Sequence, residues 1–153
     1  ADITRQIAQA VTAAAAMVSG PLVLAGHSAG GHLVARMLQP GLLPDVVADR
    51  LRHVMPISPV SDLRPLLRTS MNADFKLDEA TATAESPALM VERLPIPVTV
   101  WVGAEERPVF LDQARWLAEA WGCGHVVDAG KHHFDVIDAL ADPQSAMARR
   151  LLG

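Results

Sequence analysis

A second cysteine is missing from this chain. Cys123 stands alone among 153 residues, so no internal disulfide can form. A lone cysteine suits a reducing compartment better than secretion, and a cytoplasmic protein is expected. Cys123 itself reads by default as a small, partly buried side chain without reactivity. Basic clusters are missing too. Nothing longer than Arg149-Arg150 occurs, and the formal net charge is −4, which argues against nucleic acid or an anionic membrane as the main partner. No apolar run is long enough to span a membrane, and no secretory leader is recognisable at the start. There is no internal repeat and no low-complexity linker beyond the alanines at 13–16. Metal-ligand spacing is absent as well. His125, His132 and His133 lack a helical i, i+4 pair with a glutamate, so no metal is expected.

What remains is the composition of a globular domain. Half of the residues are hydrophobic and a fifth are charged. The length suits a single domain with a sizeable core. Residues 3–18 carry Ile3, Ile7, Ala10, Val11 and Ala14 on one helical face. Gly20-Pro21 ends that helix and launches a strand over 22–26, and a second helix over 30–39 is closed by Pro40-Gly41. Residues 46–51 suggest a short helical turn. A strand over 53–58 follows, in which Pro56 suits an end or a bulge better than the middle. Short helices are expected at 62–69 and 77–84. The whole of 59–95 is weakly patterned and reads as a lid or pocket wall. Residues 98–102 are a clear buried strand, 110–121 a helix with packing tryptophans, and 125–128 a short last strand. Helices over 133–140 and from Asp142-Pro143 to 152 complete the chain. This alternation predicts an α/β fold, a mostly parallel sheet flanked by helices on both faces, over a single domain 1–153.

One hexapeptide stands out: Gly26-His27-Ser28-Ala29-Gly30-Gly31, between a strand-like and a helix-like run. The pattern G-x-S-x-G at a strand-to-helix corner is the nucleophile elbow of α/β-hydrolases. The serine is held in a strained backbone conformation so that its hydroxyl stands clear of the sheet. Close neighbours must be small, and Gly26, Ala29, Gly30 and Gly31 meet that demand. The N–H of Ala29, the residue after the nucleophile, is the expected oxyanion donor.

A serine hydroxyl needs a base to take its proton and a carboxylate to orient that base. In this fold the acid and then the histidine follow the serine, on loops past later strand ends. The loop after 98–102 reads Gly103-Ala104-Glu105-Glu106-Arg107-Pro108, and the loop after 125–128 reads Ala129-Gly130-Lys131-His132-His133-Phe134. The acid candidates are Glu105, Glu106 and Asp128; the base candidates are His125, His132 and His133. His27 reads as pocket-lining or structural, and His32 as packing or surface. Asp62 caps the helix that follows or braces the loop beneath the site. Arg64 and Arg68 form a solvated face or attract an anionic substrate.

With these residues in view, the chain resembles the C-terminal part of the arylformamidase (kynurenine formamidase)-like esterase group. The matching stretches are residues 26–31, 58–66, Gly103 to Phe110 with Gln113, and His132-His133-Phe134. The resemblance puts the family's acid on Glu106 and its base, a histidine followed by an aromatic residue, on His133. It implies that the elbow strand belongs mid-sheet. The strands here would then be the second half of a larger sheet, with the elbow strand left at an edge. No HGG-type motif precedes Gly26 to supply a second oxyanion donor.

The expectation is therefore a serine hydrolase acting on a carboxylic ester or a small (aryl)formamide, through Ser28, His133 and Glu106 and without a cofactor. Its partner would be that small-molecule substrate. Either a missing N-terminal half or a second copy would complete the sheet, or the chain would fold alone with reduced activity. A non-catalytic binding module of the same fold, and a serine acyltransferase or thioesterase, are the alternatives.

Overall fold

The computed structural model describes residues 2–153. In chain order the elements are α1 (Asp2–Met17), β1 (Leu22–His27), α2 (Ala29–Arg36), α3 (Asp45–Ala48), β2 (Leu51–Ile57), α4 (Asn72–Phe75), α5 (Glu79–Ala84), β3 (Thr99–Gly103), α6 (Pro108–Trp121), β4 (Gly124–Asp128) and α7 (Ala146–Leu152). Single 3₁₀ stretches cover Arg64–Arg68, Pro87–Leu89 and Val136–Ala141. The strands form one sheet in the order β1-β2-β3-β4, and every pairing is parallel. All four strands therefore end on the same side, and so do the loops that follow them.

Alternation along the strands builds two cores. Val54, Val100 and Val102 join Ala8 and Ala15 of α1, Val34 and Ala35 of α2, and Ala114 and Leu117 of α6 on one face. Met55, Ile57 and Trp101 point the other way and meet Val136, Met147 and Leu151. Successive side chains on a strand face opposite sides, so a sheet covered on both faces needs apolar residues at every position. β3, Thr-Val-Trp-Val-Gly, is buried throughout. β1 is only half-buried, because it is the outermost strand and has a single strand neighbour among the described residues.

Helix ends follow local chemistry. α6 begins with Pro108 in its first turn and stops at Gly122, whose φ of 56° is the left-handed conformation that ends a helix. Asp78 accepts the Thr81 N–H at 2.7 Å to cap α5, and Ser145 accepts the Ala148 N–H at 3.0 Å to cap α7.

Pro56 is the penultimate residue of β2, close to the strand end expected for it, and is paired in register with Gly26 of β1. The Val54 N–H reaches the Pro97 carbonyl at 3.0 Å and the Ser58 N–H reaches the Trp101 carbonyl at 2.7 Å. Pro56, two residues from each, faces the same β3 side, so the missing N–H leaves out one rung of that ladder. Three other expectations change in detail. α2 stops at Arg36, not at 39, because the Met37 N–H is shared between the Leu33 and Val34 carbonyls and Leu38 and Gln39 then bond three residues back. The last helix starts at Ala146 rather than at Asp142-Pro143, once Ser145 supplies the cap. Finally, His133 is not helical; it lies in the turn ahead of the 3₁₀ stretch Val136–Ala141. Residues 59–95 contribute only short helical pieces. Among the described residues no helix is long and apolar enough to cross a membrane.

Burial leaves a pH signature. His32 and His53 have their pKa values pushed below 6.5, in each case chiefly because burial disfavours the charged ring. Above 6.5 both folded and unfolded chains hold these rings neutral. As the pH falls below 6.5, the unfolded chain takes up protons first and is favoured. The melting temperature therefore falls as the pH is lowered from 7.5 to 5. A melting temperature flat across that range contradicts this account.

Candidate active site

β1 runs straight into α2, and Ser28 is the corner between them. Its φ and ψ are 56° and −117°, a conformation that costs a residue with a Cβ on the order of 1–3 kcal/mol. The corner is held from outside. The Ser28 N–H donates to the Ile57 carbonyl at 2.9 Å, and the Ser28 carbonyl accepts the His32 N–H at 3.2 Å. The turn is also closely packed from within. A Cβ on Gly26 would collide with the Gly30 carbonyl, and one on Gly31 would lie 2.9 Å from the Ile57 carbonyl. Gly30 differs from the expectation: a Cβ there meets nothing within 4 Å, so the described residues do not require a glycine at that position.

The loops after β3 and β4 are stitched together beside this corner. The Ala104 N–H donates to the Asp128 carbonyl at 2.8 Å, and the Glu105 N–H to the Lys131 carbonyl at 2.9 Å. Gly103 permits the close approach, since a Cβ there would strike the Lys131 carbonyl. The turn points Glu105 outward and Glu106 inward; the Glu106 side chain is fully buried. Glu106 Oε1 accepts the Gly103 N–H at 2.9 Å and the Ser58 hydroxyl at 2.5 Å, and Oε2 faces His133 Nδ1 at 2.6 Å. An ionised carboxylate only accepts, so Nδ1 is the donor. The neutral ring then has a free lone pair on Nε2. That atom is 3.1 Å from Ser28 Oγ, and the serine hydroxyl donates to it.

The His133 ring is gripped on several sides. Phe110 lies 4.1 Å from it, His27 4.6 Å and Phe134 5.4 Å, centroid to centroid. His27 Nε2 donates to the His133 carbonyl at 2.7 Å, tying the elbow to the backbone of His133. Burial holds the His27 pKa below its ordinary value, which keeps that ring neutral.

The other candidates are engaged elsewhere. His132 Nδ1 accepts the Phe134 and Asp135 N–H groups at 3.1 and 3.3 Å, and His125 is exposed on β4. Asp128 accepts the Trp101 indole N–H at 3.0 Å. His32 bonds the Glu85 carbonyl at 2.8 Å and packs away from the site. Asp62 pairs with Arg64 at 2.6 Å and accepts its backbone N–H at 3.0 Å. Its carboxyl is held below the usual range chiefly by the Arg64 hydrogen bond. Arg68 lies at the end of the 3₁₀ stretch Arg64–Arg68. The Ala29 N–H opens α2, where first-turn donors have no intrahelical acceptor. No cluster of three metal-ligating side chains occurs among the described residues.

Two supporting residues had not been given these roles from sequence. One is Ser58, 48 residues from its partner Glu106. The other is Gln113 of α6, whose Oε1 accepts the N–H groups of Ser61 and Asp62, each at 2.7 Å, while Nε2 donates to the Asp62 carbonyl at 2.9 Å. It pins the chain leaving β2. No local pattern signals either contact.

A strained serine at a strand-to-helix corner, within hydrogen-bonding distance of a carboxylate-bound imidazole, is the arrangement found in serine hydrolases. The chain belongs to that family, whose model, serine hydrolase, matches residues 4–144. It is 30% identical over 145 residues to kynurenine formamidase of Danio rerio, an overlap of 88% of this chain and 49% of that protein. The Salmo salar kynurenine formamidase is 29% identical over 146 residues, with the same coverage of 88% and 49%. The chain thus spans about half the length of the curated relatives it matches. A crystal structure from Silicibacter sp., carrying a provisional thioesterase assignment, superposes with a TM-score of 0.98 at 62% identity, over 99% of this chain and 58% of that one. An esterase from Thermogutta terrifontis shares the fold with a TM-score of 0.61 at 21% identity, over 86% of this chain and 55% of that one.

The two glycines of the elbow separate by experiment. Gly26→Ala forces the turn open and lowers stability by more than about 2 kcal/mol, as overpacking against backbone does. Gly30→Ala, in open space inside a helix, is neutral or stabilising by up to about 1 kcal/mol. Chemical denaturation of both variants reads the difference. Equal losses would show that the turn is not limited by the contact between Gly26 and Gly30.

Proposed function

We propose that this chain hydrolyses a carboxylic ester or a small (aryl)formamide through an acyl-enzyme on Ser28. The observation that carries the reading is the continuous hydrogen-bond path from Ser28 Oγ to His133 Nε2 and from His133 Nδ1 to Glu106 Oε2. His133 takes the hydroxyl proton as Ser28 Oγ attacks the carbonyl carbon. The oxygen becomes an alkoxide, and the Ala29 N–H stabilises it. His133 then gives the proton to the departing alcohol or amine. A water attacks the acyl-enzyme by the same route in reverse order. Glu106 stays ionised throughout, fixing the tautomer and balancing the imidazolium. No cofactor takes part. The kynurenine formamidase relatives support a formamide, and the fold is shared by esterases.

The 62%-identical structure and its thioesterase assignment favour a second reading, cleavage of a thioester by the same residues. The two readings differ only in the leaving group.

One oxyanion donor is weaker than two. Loss of a donor costs on the order of 10²–10³ in kcat. In this reading the second donor comes from the half of the relatives' length that this chain does not span, seated along the open edge of β1. A single cysteine fits a reducing, cytoplasmic setting.

Intact-mass analysis after exposure to a fluorophosphonate tests the assignment. The expected result is a single adduct that vanishes in Ser28→Ala and forms far more slowly in His133→Ala. An adduct that survives in Ser28→Ala, or an undiminished rate in His133→Ala, overturns it. Relative turnover of p-nitrophenyl acetate, a formanilide and an acyl thioester then separates the two leaving-group readings.

A further inference from the structure

Two neighbouring strands of this sheet end in a serine with a left-handed backbone. Ser28 follows β1 with φ 56°, and Ser58 follows β2 with φ 46°. Glycine is the residue that adopts this region without strain, and a glycine at position 58 would be the conformationally easy choice. Ser58 is completely buried, so its hydroxyl gains nothing from water. Packing volume does not explain it either, since serine adds little beyond glycine. The hydroxyl is spent on one contact, the 2.5 Å bond to Glu106 Oε1.

We propose that Ser58 is a positioning residue for the reaction, acting through Glu106; the proposal rests on the hydrolytic reading above. Glu106 has two oxygens and no exposure of its side chain. The Gly103 N–H and the Ser58 hydroxyl together saturate Oε1, which leaves Oε2 as the oxygen that faces His133. Without the hydroxyl, one protein donor holds Oε1, and the carboxylate is free to turn about its last bond. The His133 Nδ1–H then loses its fixed acceptor, and with it the ring orientation that aims Nε2 at Ser28. The backbone at Ser58 is held separately. Its N–H bonds to the Trp101 carbonyl at 2.7 Å, and Gln113 anchors the two residues Ser61 and Asp62 just beyond. The hydroxyl can therefore be removed with the main chain still in place.

Ser58→Gly separates positioning from structure, because it relieves backbone strain and deletes the hydroxyl in one change. The expected result is a cooperative unfolding transition with a melting temperature near that of the wild type, because relief of strain at φ 46° offsets the lost hydrogen bond. Fluorophosphonate capture at Ser28 slows at least about tenfold in its maximal rate, the effect of one hydrogen bond to a buried charge. The half-saturating probe concentration stays the same. Ser58→Ala, which keeps the strain, slows capture equally and has the lower melting temperature of the two. Capture at the wild-type rate in Ser58→Gly, or slowing accompanied by loss of the cooperative transition, overturns the proposal. A second readout does not need the nucleophile. In a Ser28→Ala background, the His133 ring Nδ1–H is followed by ¹⁵N-edited NMR, and its exchange with solvent is faster in the Ser58→Gly protein. Unchanged exchange counts against Ser58 whatever Ser28 does, whereas a wild-type chain that is never captured counts against the hydrolytic reading alone.

Discussion

A carboxylate can lose all of its water only where other donors replace it. Glu106 is in that position, and its three donors come from three different strand ends. Ser58 follows β2, Gly103 closes β3, and His133 lies on the loop after β4. Satisfying one buried charge therefore fixes the relative placement of three of the sheet's four C-terminal strand ends. If the loop that carries His133 shifted, the buried Oε2 would lose this donor at a cost of roughly 1–3 kcal/mol or more. The site and the fold are stabilised by the same contacts at this point.

The parallel sheet makes that convergence inevitable. With every strand running the same way, each following loop emerges on one side, next to the loops of its neighbours. β1 delivers a serine to that edge, β2 a hydroxyl donor, β3 an acid and β4 a histidine. The backbone at two of those strand ends is strained, at Ser28 and Ser58. Strain of this kind persists only where the surroundings over-determine it, and here main-chain bonds to the next strand do so: Ser28 to Ile57 and Ser58 to Trp101. A second layer, His27 under His133 and Gln113 under the chain leaving β2, limits the remaining freedom.

How legible this was from sequence depends on the range of each interaction. The elbow is local: a strand, a tight turn and a helix within a dozen residues, so Ser28 and its small neighbours could be read directly. The acid and the base were readable only to adjacent alternatives, and the resemblance to a known group singled out Glu106 and His133. The structure supplies the physical distinction. Glu105 and Glu106 point to opposite sides of one turn, and the His132 side chain is occupied in closing its own loop. Ser58 was visible as part of a matching stretch, but its bond to Glu106 spans 48 residues and leaves no local trace. Pro56 was legible for the same reason as the elbow: proline's missing N–H is a local constraint, and it sits one residue from the end of β2.

The sequence by itself determined the element types and their order, because hydrophobic periodicity and turn residues act over a few positions. It determined the parallel class of the sheet, because helices alternate with strands, and it determined which residue sits at the strained corner. Only the tertiary structure decided which carboxylate is buried, which imidazole nitrogen faces the serine and which hydroxyl holds the acid. Those choices depend on loops separated by dozens of residues, brought within 3 Å or so by the sheet. Hydrogen bonding at that range is set by where the strands end in space, which no short stretch of the chain encodes.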